Sequence, residues 1–276
     1  MKYLEQISSS NDKIIGIVLV RNEDRFIEQV VKNITEFCDH VFLVDHASSD
    51  NTVSILQRLE SQYPGKFSLH QITDPRESQE FLKPFIGTKT WVFGVDGDEL
   101  YDPEGLTLFR KHLMAGLFDD YWMILGNVIH CNQLNLAAGT ASGYATPPSR
   151  SITKLYNFSA IVSWDGETPE RLHGGTLQFR SGFHEQKKRS LQHEYSWDNA
   201  LLRCLHLCFI PRSSSESSAM RQNIMETLAG GTIRRLCRRT KIFLQKIFHQ
   251  PIASTWKQKH YARGDSLCVN AKPFFK

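Results

Sequence analysis

The sequence predicts an α/β protein built on a doubly wound, mostly parallel sheet. The first observation is that residues 14–20 (IIGIVLV) form a continuous run rich in β-branched side chains, which is typical of a strand buried on both faces. The second is that this run and the next one, residues 41–45, are each followed by a polar turn and by apolar residues at helical spacing. Strands that alternate with helices along a chain are typical of parallel sheets.

The first 100 residues contain four predicted strands and two predicted helices. The strands are residues 14–20, 41–45, 67–71 and 91–95. Apolar residues recur at helical spacing over residues 26–37 and 53–59, which predicts an amphipathic helix after each of the first two strands. We assign Asp50 to capping the start of the second helix.

The pattern is less regular after residue 100. We predict a helix at residues 103–114 and further strands at residues 121–129, 154–158, 176–179 and 201–210. Residues 138–151 are rich in Gly, Ser, Thr and Pro, and we expect them to form a long functional loop or lid. Residues 211–218 are expected to be a linker or the capped start of a helix.

The composition is that of a soluble globular protein. Hydrophobic residues make up 41% of the chain and charged residues 22%, with a net charge of +4. No apolar run reaches the roughly 18 residues that span a bilayer, and residues 1–6 are polar and unlike a signal peptide. The cysteines, which lack a CxxC spacing, are Cys38, Cys131, Cys204, Cys208, Cys237 and Cys268. Scattered thiols indicate a reducing compartment, so we expect a cytoplasmic protein.

Three carboxylates follow the predicted strand at residues 91–95 within four positions. They are Asp96, Asp98 and Glu99. Like charges are costly to hold together without compensation, and carboxylate oxygens are the ligands that hard divalent cations prefer. Open α/β sheets bind ligands at the carboxyl ends of their strands. The motif therefore predicts a Mn²⁺ or Mg²⁺ site for a phosphorylated substrate, with an acidic surface turn as the alternative.

Four segments of the chain occur together in a fixed order. They are Arg21-Asn22-Glu23, VDHASSD at residues 44–50, Asp96-Gly97-Asp98-Glu99 and Leu205-His206-Leu207. In this order they resemble the family 2 glycosyltransferases of the GT-A fold, and most of all the branch that includes lipopolysaccharide-core glucosyltransferases. The resemblance is good over residues 12–100, looser over 101–212 and weak afterwards. It implies transfer of a sugar, with inversion, from a nucleotide-diphosphate donor, favouring UDP, to a hydroxyl of a glycan or lipid-linked acceptor.

The resemblance also implies how the chain is divided. Residues 1–100 would be the nucleotide-sugar-binding half of a GT-A domain, residues 101–212 its smaller acceptor-side half, and residues 213–276 a basic helical extension. Residues 232–264 contain nine Lys or Arg and no Asp or Glu, and residues 233–248 are amphipathic. Such a helix can lie on the anionic inner face of a membrane, or pack on the domain with its basic face in solvent. No motif for nucleic acid is present, so none is expected as a partner.

Several residues are predicted to contact the donor nucleotide. Asp45 could accept a hydrogen bond from uracil N3 or from the ribose, or could bond only its own turn. Arg21, Asn22 and Glu23 lie where the first strand meets its helix, a natural place to touch a nucleotide, although Glu23 can instead favour the helix dipole. Arg263, in the basic C-terminal region, is placed on a donor phosphate.

The metal site is predicted to centre on Asp98. Asp96 would contact the ribose or a metal-bound water, and the resemblance implies that His206 completes the metal or diphosphate site. A buried core histidine and a zinc ligand remain alternatives for His206. Cys204 and Cys208 would lie about 13 Å apart on a strand, which is too far for both to bind one zinc ion.

An inverting transfer also needs a base that deprotonates the acceptor hydroxyl. Relatives of this branch have a Trp-x-Gly-x-x-His-Glu pattern, and this chain reads WDGETPE at residues 164–170. Glu170 matches the family Glu and is the expected base, although Pro169 replaces the His. Glu167 and Asp165 are the alternatives for this role.

Two other classes of protein fit parts of the sequence. A sugar nucleotidyltransferase also uses an α/β sheet with acidic metal ligands, but its first strand normally ends in a Gly-rich basic loop, unlike residues 21–24 (RNED). A non-catalytic nucleotide- or glycan-binding protein on a degenerate GT-A scaffold is the other alternative, which the substitution at Pro169 keeps open.

Overall fold

The predicted α/β class is confirmed by a computed structural model, which describes residues 13–165, 175–215 and 256–275. The strands of these ranges form a seven-stranded sheet, a five-stranded sheet and a two-stranded ribbon. Helices pack against the largest sheet, whose central strands are buried along almost their whole length. None of the helices in the described ranges is long and apolar enough to cross a membrane.

The described elements begin and end as follows. The strands are β1 (Lys13–Val20), β2 (His40–His46), β3 (Phe67–Ile72), β4 (Thr90–Asp96), β5 (Glu99–Tyr101), β6 (Met123–Leu125), β7 (Asn127–Asn135), β8 (Thr140–Ala145), β9 (Lys154–Asn157), β10 (Ile161–Asp165), β11 (Thr176–Phe179), β12 (Lys188–Ser190), β13 (Arg203–His206) and β14 (Ser266–Asn270). The helices are α1 (Ile27–Ile34), α2 (Thr52–Gln62), α3 (Pro103–Met114) and α4 (Trp256–Tyr261). Most bounds agree with the predicted segments to within one or two residues, and α3 has the predicted bounds.

The seven-stranded sheet has the strand order β12-β6-β9-β4-β1-β2-β3. Strands β1 to β4 are parallel, because α1 and α2 carry the chain back between the first three of them. The register places Val20 beside Asp45 of β2 and Leu19 beside Asp96 of β4. The carboxyl ends of β1, β2 and β4 therefore meet at one edge, where the acidic motifs emerge.

The helices are held by apolar side chains that face this sheet. Val30, Val31 and Ile34 of α1 are fully buried, and Phe37 packs edge-on against Phe93 of β4 with ring centroids 5.1 Å apart. Burying one such side chain contributes about 1.5–3 kcal/mol to folding. The helical spacing seen in the sequence is thus the spacing of the buried face.

The five-stranded sheet has the order β14-β8-β7-β13-β5. Its strand β13 lies between β5 and β7, and the register places His206 opposite both Glu99 and His130. Residues distant in the sequence are brought together in this way, next to the carboxyl end of β4.

Three predicted segments differ from the structure. The strand predicted at residues 121–129 is broken at Gly126, where a Cβ would lie 2.4 Å from the Leu202 carbonyl oxygen, and the chain passes from one sheet to the other. The loop predicted at residues 138–151 contains β8, which pairs with both β7 and β14. The strand predicted at residues 201–210 is shorter and covers only residues 203–206, and the next backbone N–H donates to the carbonyl oxygen of Asp98 at 2.8 Å.

Part of the predicted C-terminal extension packs against the domain. Residues 256–275 contain α4 and the edge strand β14, and Phe274 near their end is fully buried. The side-chain amide of Asn33 donates to the Phe274 carbonyl oxygen at 2.9 Å. The amphipathic basic segment at residues 233–248 lies outside the described residues.

Candidate functional site

The loops that follow β1 and β2 bond to each other at the edge of the sheet. The Asn22 backbone N–H donates to Ser48 Oγ at 2.8 Å, and the Ser49 N–H donates to Asn22 Oδ1 at 2.7 Å. Asn22 and Ala47 both adopt left-handed backbone conformations, with φ of 54° and 49°. Asparagine tolerates this conformation, whereas for alanine it costs about 1–2 kcal/mol. Backbone strain of this kind is concentrated at functional sites.

Replacing Ala47 with glycine is expected to stabilise the protein by about 0.5–1 kcal/mol. Glycine removes the left-handed strain but adds flexibility to the unfolded chain, which offsets part of the gain. Urea unfolding measures the difference, and Ala138→Gly is the control because Ala138 is also exposed but lies outside the left-handed region. A less stable Ala47→Gly protein, or equal effects at the two positions, would show that the loop is not strained.

Asp45 is fully buried at the carboxyl end of β2. Its Oδ2 accepts a hydrogen bond from the Ser48 backbone N–H at 3.1 Å. Its Oδ1 is also buried, and no donor among the described residues lies within hydrogen-bond distance of it. The Asp45 carboxylate therefore bonds its own turn, and its Oδ1 can accept a further hydrogen bond.

Asp98 is buried two residues beyond the end of β4. Its Oδ2 lies 2.5 Å from Arg212 Nη1 and 3.6 Å from His206 Nε2. Burial opposes ionisation, but the Arg212 guanidinium outweighs it and holds the pKa of Asp98 well below its ordinary value. The Oδ1 atom of Asp98 has no hydrogen-bond donor in the described part of the chain. Asp98 is thus a carboxylate that stays ionised at neutral pH, with one oxygen available to a ligand.

Arg212 is one of the basic residues of this site that the sequence did not predict. Its Nη1 bridges Asp98 and Glu23, lying 3.3 Å from Glu23 Oε1. A second basic group, Lys257 of α4, donates to the Cys208 carbonyl oxygen at 3.3 Å. Burial and then the nearby Arg212 lower the pKa of Lys257. Two basic side chains are therefore held beside the carboxylates, where an anionic group of a substrate would be stabilised.

The segment at residues 211–215 holds Arg212 in place. Ser213 Oγ donates to Asp50 Oδ2 at 2.5 Å, and the Ser214 backbone N–H donates to Asp24 Oδ1 at 2.7 Å. The N-cap residue of α2 is Asn51, whose side chain makes no capping bond, while Asp50 just before it accepts from the first backbone N–H of the helix at 3.0 Å. The predicted linker is instead bonded to the loops after β1 and β2, as far as residue 215.

The third carboxylate of the motif, Glu99, forms a fully buried ion pair. Its Oε1 lies 2.6 Å from Lys154 Nζ, and the same Nζ lies 3.5 Å from Asp96 Oδ1. Burial raises the pKa of Glu99 to about 7, with Lys154 opposing the shift. Burial also opposes the charge on Lys154, but Glu99 outweighs it and raises the pKa of Lys154. Asp96 remains 27% exposed, so within the motif Glu99 is structural while Asp96 is accessible.

His206 is buried between Asp98 and a second histidine. His130 Nδ1 lies 2.8 Å from His206 Nδ1, and the ring of Tyr261 stacks on His130 with centroids 4.3 Å apart. Burial lowers the pKa of His206, although Asp98 opposes the shift. His130, His206 and Cys208 each offer one ligand atom, and these atoms lie within 4.8 Å of one another. Cys204 is not part of this group, and Cys208 lies two residues beyond the end of β13.

Some predicted residues lie elsewhere. The expected base Glu170 lies outside the described residues, as do Pro169 and Glu167. The alternative base Asp165 is exposed at the end of β10. Arg263 is exposed after α4, and the structure anchors it through its backbone N–H, which donates to Ser149 Oγ at 3.2 Å.

The residues around Asp98 fit a divalent cation. The buried Oδ1 of Asp98 has no described donor, and His206 Nε2 lies near the other oxygen of the same carboxylate. A carboxylate oxygen with an imidazole nitrogen suits Mn²⁺, and the carboxylate suits Mg²⁺ as well. Arg212 shares this carboxylate, so a cation bound here would compete with it for Oδ2.

No family model matches the chain. A glycosyltransferase of Rickettsia conorii, itself uncharacterised, is 25% identical to it over 91 residues, which are 33% of this chain. The match spans 30% of the length of that relative.

Two solved structures are also similar to the chain. TarS 1–349 of S. aureus in complex with UDP has a TM-score of 0.37 and 18% identity, covering 54% of this chain and 47% of that TarS chain. Glucosyl-3-phosphoglycerate synthase of Mycobacterium tuberculosis, in complex with Mn²⁺, UDP and glucosyl-3-phosphoglycerate, has a TM-score of 0.29 and 17% identity, covering 46% of each chain.

Proposed function

We propose that this protein is a metal-dependent glycosyltransferase of the GT-A type that uses a nucleotide-diphosphate sugar, favouring UDP. The observation that carries the proposal is the presence of two buried carboxylates, Asp45 at the carboxyl end of β2 and Asp98 just beyond that of β4, on the two parallel strands that flank β1. Each keeps one oxygen that no described donor reaches. The order of the acidic motifs, and the similarity over 91 residues to a protein named as a glycosyltransferase, support the same conclusion.

In this proposal Asp98 and His206 hold the cation, Mn²⁺ or Mg²⁺. When bound, such a cation neutralises the two phosphates of a nucleotide sugar and the diphosphate that leaves. The basic groups of Arg212 and Lys257 lie beside Asp98, where they add positive charge for the same diphosphate.

The nucleoside would bind at the loops after β1 and β2. Asp45 would accept a hydrogen bond from uracil N3 or the ribose through Oδ1, and Asp96 would contact the ribose or a metal-bound water. Arg21, Asn22 and Glu23 line the end of β1 beside them, and Asn22 is fixed there by its bond to the Ser49 N–H. Arg263 reaches a donor phosphate.

The acceptor side of the proposal depends on Glu170. Glu170 would take the proton of an acceptor hydroxyl as that oxygen attacks the anomeric carbon from the face opposite the diphosphate, which inverts the configuration. The acceptor would be a glycan or lipid-linked saccharide, as for lipopolysaccharide-core glucosyltransferases. Residues 233–248 would then bring the enzyme to the anionic inner face of a membrane.

The proposal is tested by incubating the purified chain with UDP-glucose, UDP-galactose or UDP-N-acetylglucosamine and Mn²⁺, and measuring release of UDP. We expect slow release from one donor, since water can replace the acceptor, and acceleration by a lipid-linked glycan extract. Glu170→Gln should lower the accelerated rate by about 10²–10⁴-fold, the usual contribution of a general base, without changing UDP affinity. UDP binding without release from any donor would favour the non-catalytic binding protein.

A further inference from the structure

His130 is a buried residue beside the site that the proposed function does not use. It lies on β7, fully buried, with Tyr261 stacked on its ring at an interplanar angle of 9°. Both ring nitrogens have partners: Nε2 lies 2.8 Å from the Arg150 carbonyl oxygen, and Nδ1 lies 2.8 Å from His206 Nδ1. The position of its hydrogen can therefore be worked out from these two contacts.

A carbonyl oxygen can only accept a hydrogen bond, so His130 Nε2 must carry a hydrogen and donate it. His130 is fully buried, and the described partners of its ring nitrogens are a carbonyl oxygen and another imidazole, so a charge on the ring would be buried without a counterion and the ring is neutral. In a neutral imidazole the other nitrogen is an acceptor. The Nδ1 of His130 thus accepts, and Nδ1 of His206 must be the donor of their shared hydrogen bond.

The tautomer of His206 follows from this. Because its hydrogen is on Nδ1, the Nε2 atom of a neutral His206 carries a lone pair. This Nε2 lies 3.6 Å from Asp98 Oδ2, which is also an acceptor, and the separation is longer than a hydrogen bond. Two acceptors that approach each other in a buried place are stabilised when a cation binds both.

We propose that His130 is a positioning residue that holds His206 in its Nδ1–H tautomer and directs the Nε2 lone pair of His206 toward the cation site at Asp98. The inference rests on the proposed function, since it gives that site its nitrogen ligand. Metal-binding histidines usually bond a carbonyl or carboxylate through their second nitrogen, which orients the ring and sets the tautomer. Here a second, neutral histidine does this, and it is itself oriented by the Arg150 carbonyl oxygen.

The tautomers can be measured directly in the metal-free wild-type protein. Long-range ¹H–¹⁵N NMR spectra at neutral pH distinguish the two forms of each histidine by the shifts of its two ring nitrogens. We expect His130 as the Nε2–H form and His206 as the Nδ1–H form, assigned with His130→Asn and His206→Asn proteins. A His206 ring in the Nε2–H form would overturn the inference. This experiment needs no nucleotide, so its result is independent of whether the protein binds UDP.

Variants at position 130 separate positioning from packing. Asparagine places an acceptor near the position of Nδ1 but loses the stacking on Tyr261, whereas phenylalanine keeps the stacking and has no acceptor. We expect Mn²⁺ affinity, measured by electron paramagnetic resonance, to fall about 10–100-fold in His130→Phe and to stay within a few fold of wild type in His130→Asn. The reverse order would show that His130 only packs and would overturn the proposal.

Cys208→Ser is the matched control for the location of the cation. Cys208 offers a ligand atom near both histidines, but it has no part in the proposed arrangement. We expect Mn²⁺ affinity to be unchanged in this variant. A loss as large as in His130→Phe would place the cation among His130, His206 and Cys208 and would overturn the proposal. If the wild-type protein binds no Mn²⁺, the cation site fails together with the proposed function, while the NMR spectra still decide the tautomer.

Discussion

Asp98→Asn is expected to abolish the part of UDP binding that depends on Mn²⁺. The asparagine keeps the size of the side chain but removes the negative charge that would hold the cation. Mutation of a group that hydrogen-bonds a metal ligand typically lowers metal affinity by about 10–100-fold, and loss of the ligand itself should lower it further. We therefore expect the factor by which Mn²⁺ raises UDP affinity to be at least about 100-fold smaller in the variant than in wild type. Calorimetric titrations with and without Mn²⁺ measure this factor in each protein.

The control for this variant is Asp120→Asn, which removes one carboxylate charge from the surface at an exposed position. It should leave the effect of Mn²⁺ unchanged. Since the pKa of Asp98 is held well below its ordinary value, the wild-type effect should also be constant between about pH 6 and 8 as far as this group is concerned. An Asp98→Asn protein that is folded by circular dichroism and still shows the full Mn²⁺ effect would remove Asp98 from the metal site.

Lys154→Met is expected to destabilise the protein by about 3–5 kcal/mol, because it leaves the Glu99 carboxylate buried without its cation. The loss should depend on pH. The pKa of Glu99 is already raised by burial to about 7 in the folded protein, above the unfolded value, so protonation relieves the buried charge as pH falls. Urea unfolding should show the smallest loss near pH 5 and the largest near pH 8.

Two variants test whether the loss comes from the buried charge. Adding Glu99→Gln to Lys154→Met should restore most of the stability at pH 8, because a buried pair can often be replaced at little cost. Lys83→Met removes the cation of an exposed pair with Glu80, whose Nζ–Oε1 distance is 2.5 Å, and should cost less than about 1 kcal/mol. Equal losses in Lys83→Met and Lys154→Met, or no recovery in the double variant, would contradict this explanation.

The parts of the fold that could be predicted are those with local signals. The run at residues 14–20 is continuous and apolar because β1 is covered on both faces, and α1 shows helical spacing because one face packs on the sheet. The strand at residues 121–129 was predicted as one element because its side chains are mostly apolar. Gly126 was the signal of its break, since a glycine within a strand often marks a bend or a close backbone contact.

The candidate site could be predicted only in part for a physical reason. Asp96 and Asp98 follow a buried strand directly, so the sequence shows both the residues and their position at the edge of the sheet. Lys154, Arg212 and His130 could not be found, because their partners are 55, 114 and 76 residues away in the chain. Single basic residues or histidines have no periodic pattern, and only the pairing of strands shows which ones become buried.

If the proposed function is right, the edge formed by β1, β2 and β4 binds a nucleotide diphosphate together with a divalent cation. Calorimetric titration of the wild-type protein with UDP, GDP and CDP, each with and without Mn²⁺, measures this binding. We expect one-to-one binding of UDP that Mn²⁺ strengthens, with weaker binding of GDP and CDP. Binding of none of the three nucleotides under either condition would rule out this site and leave the carboxylates as structural features of the fold.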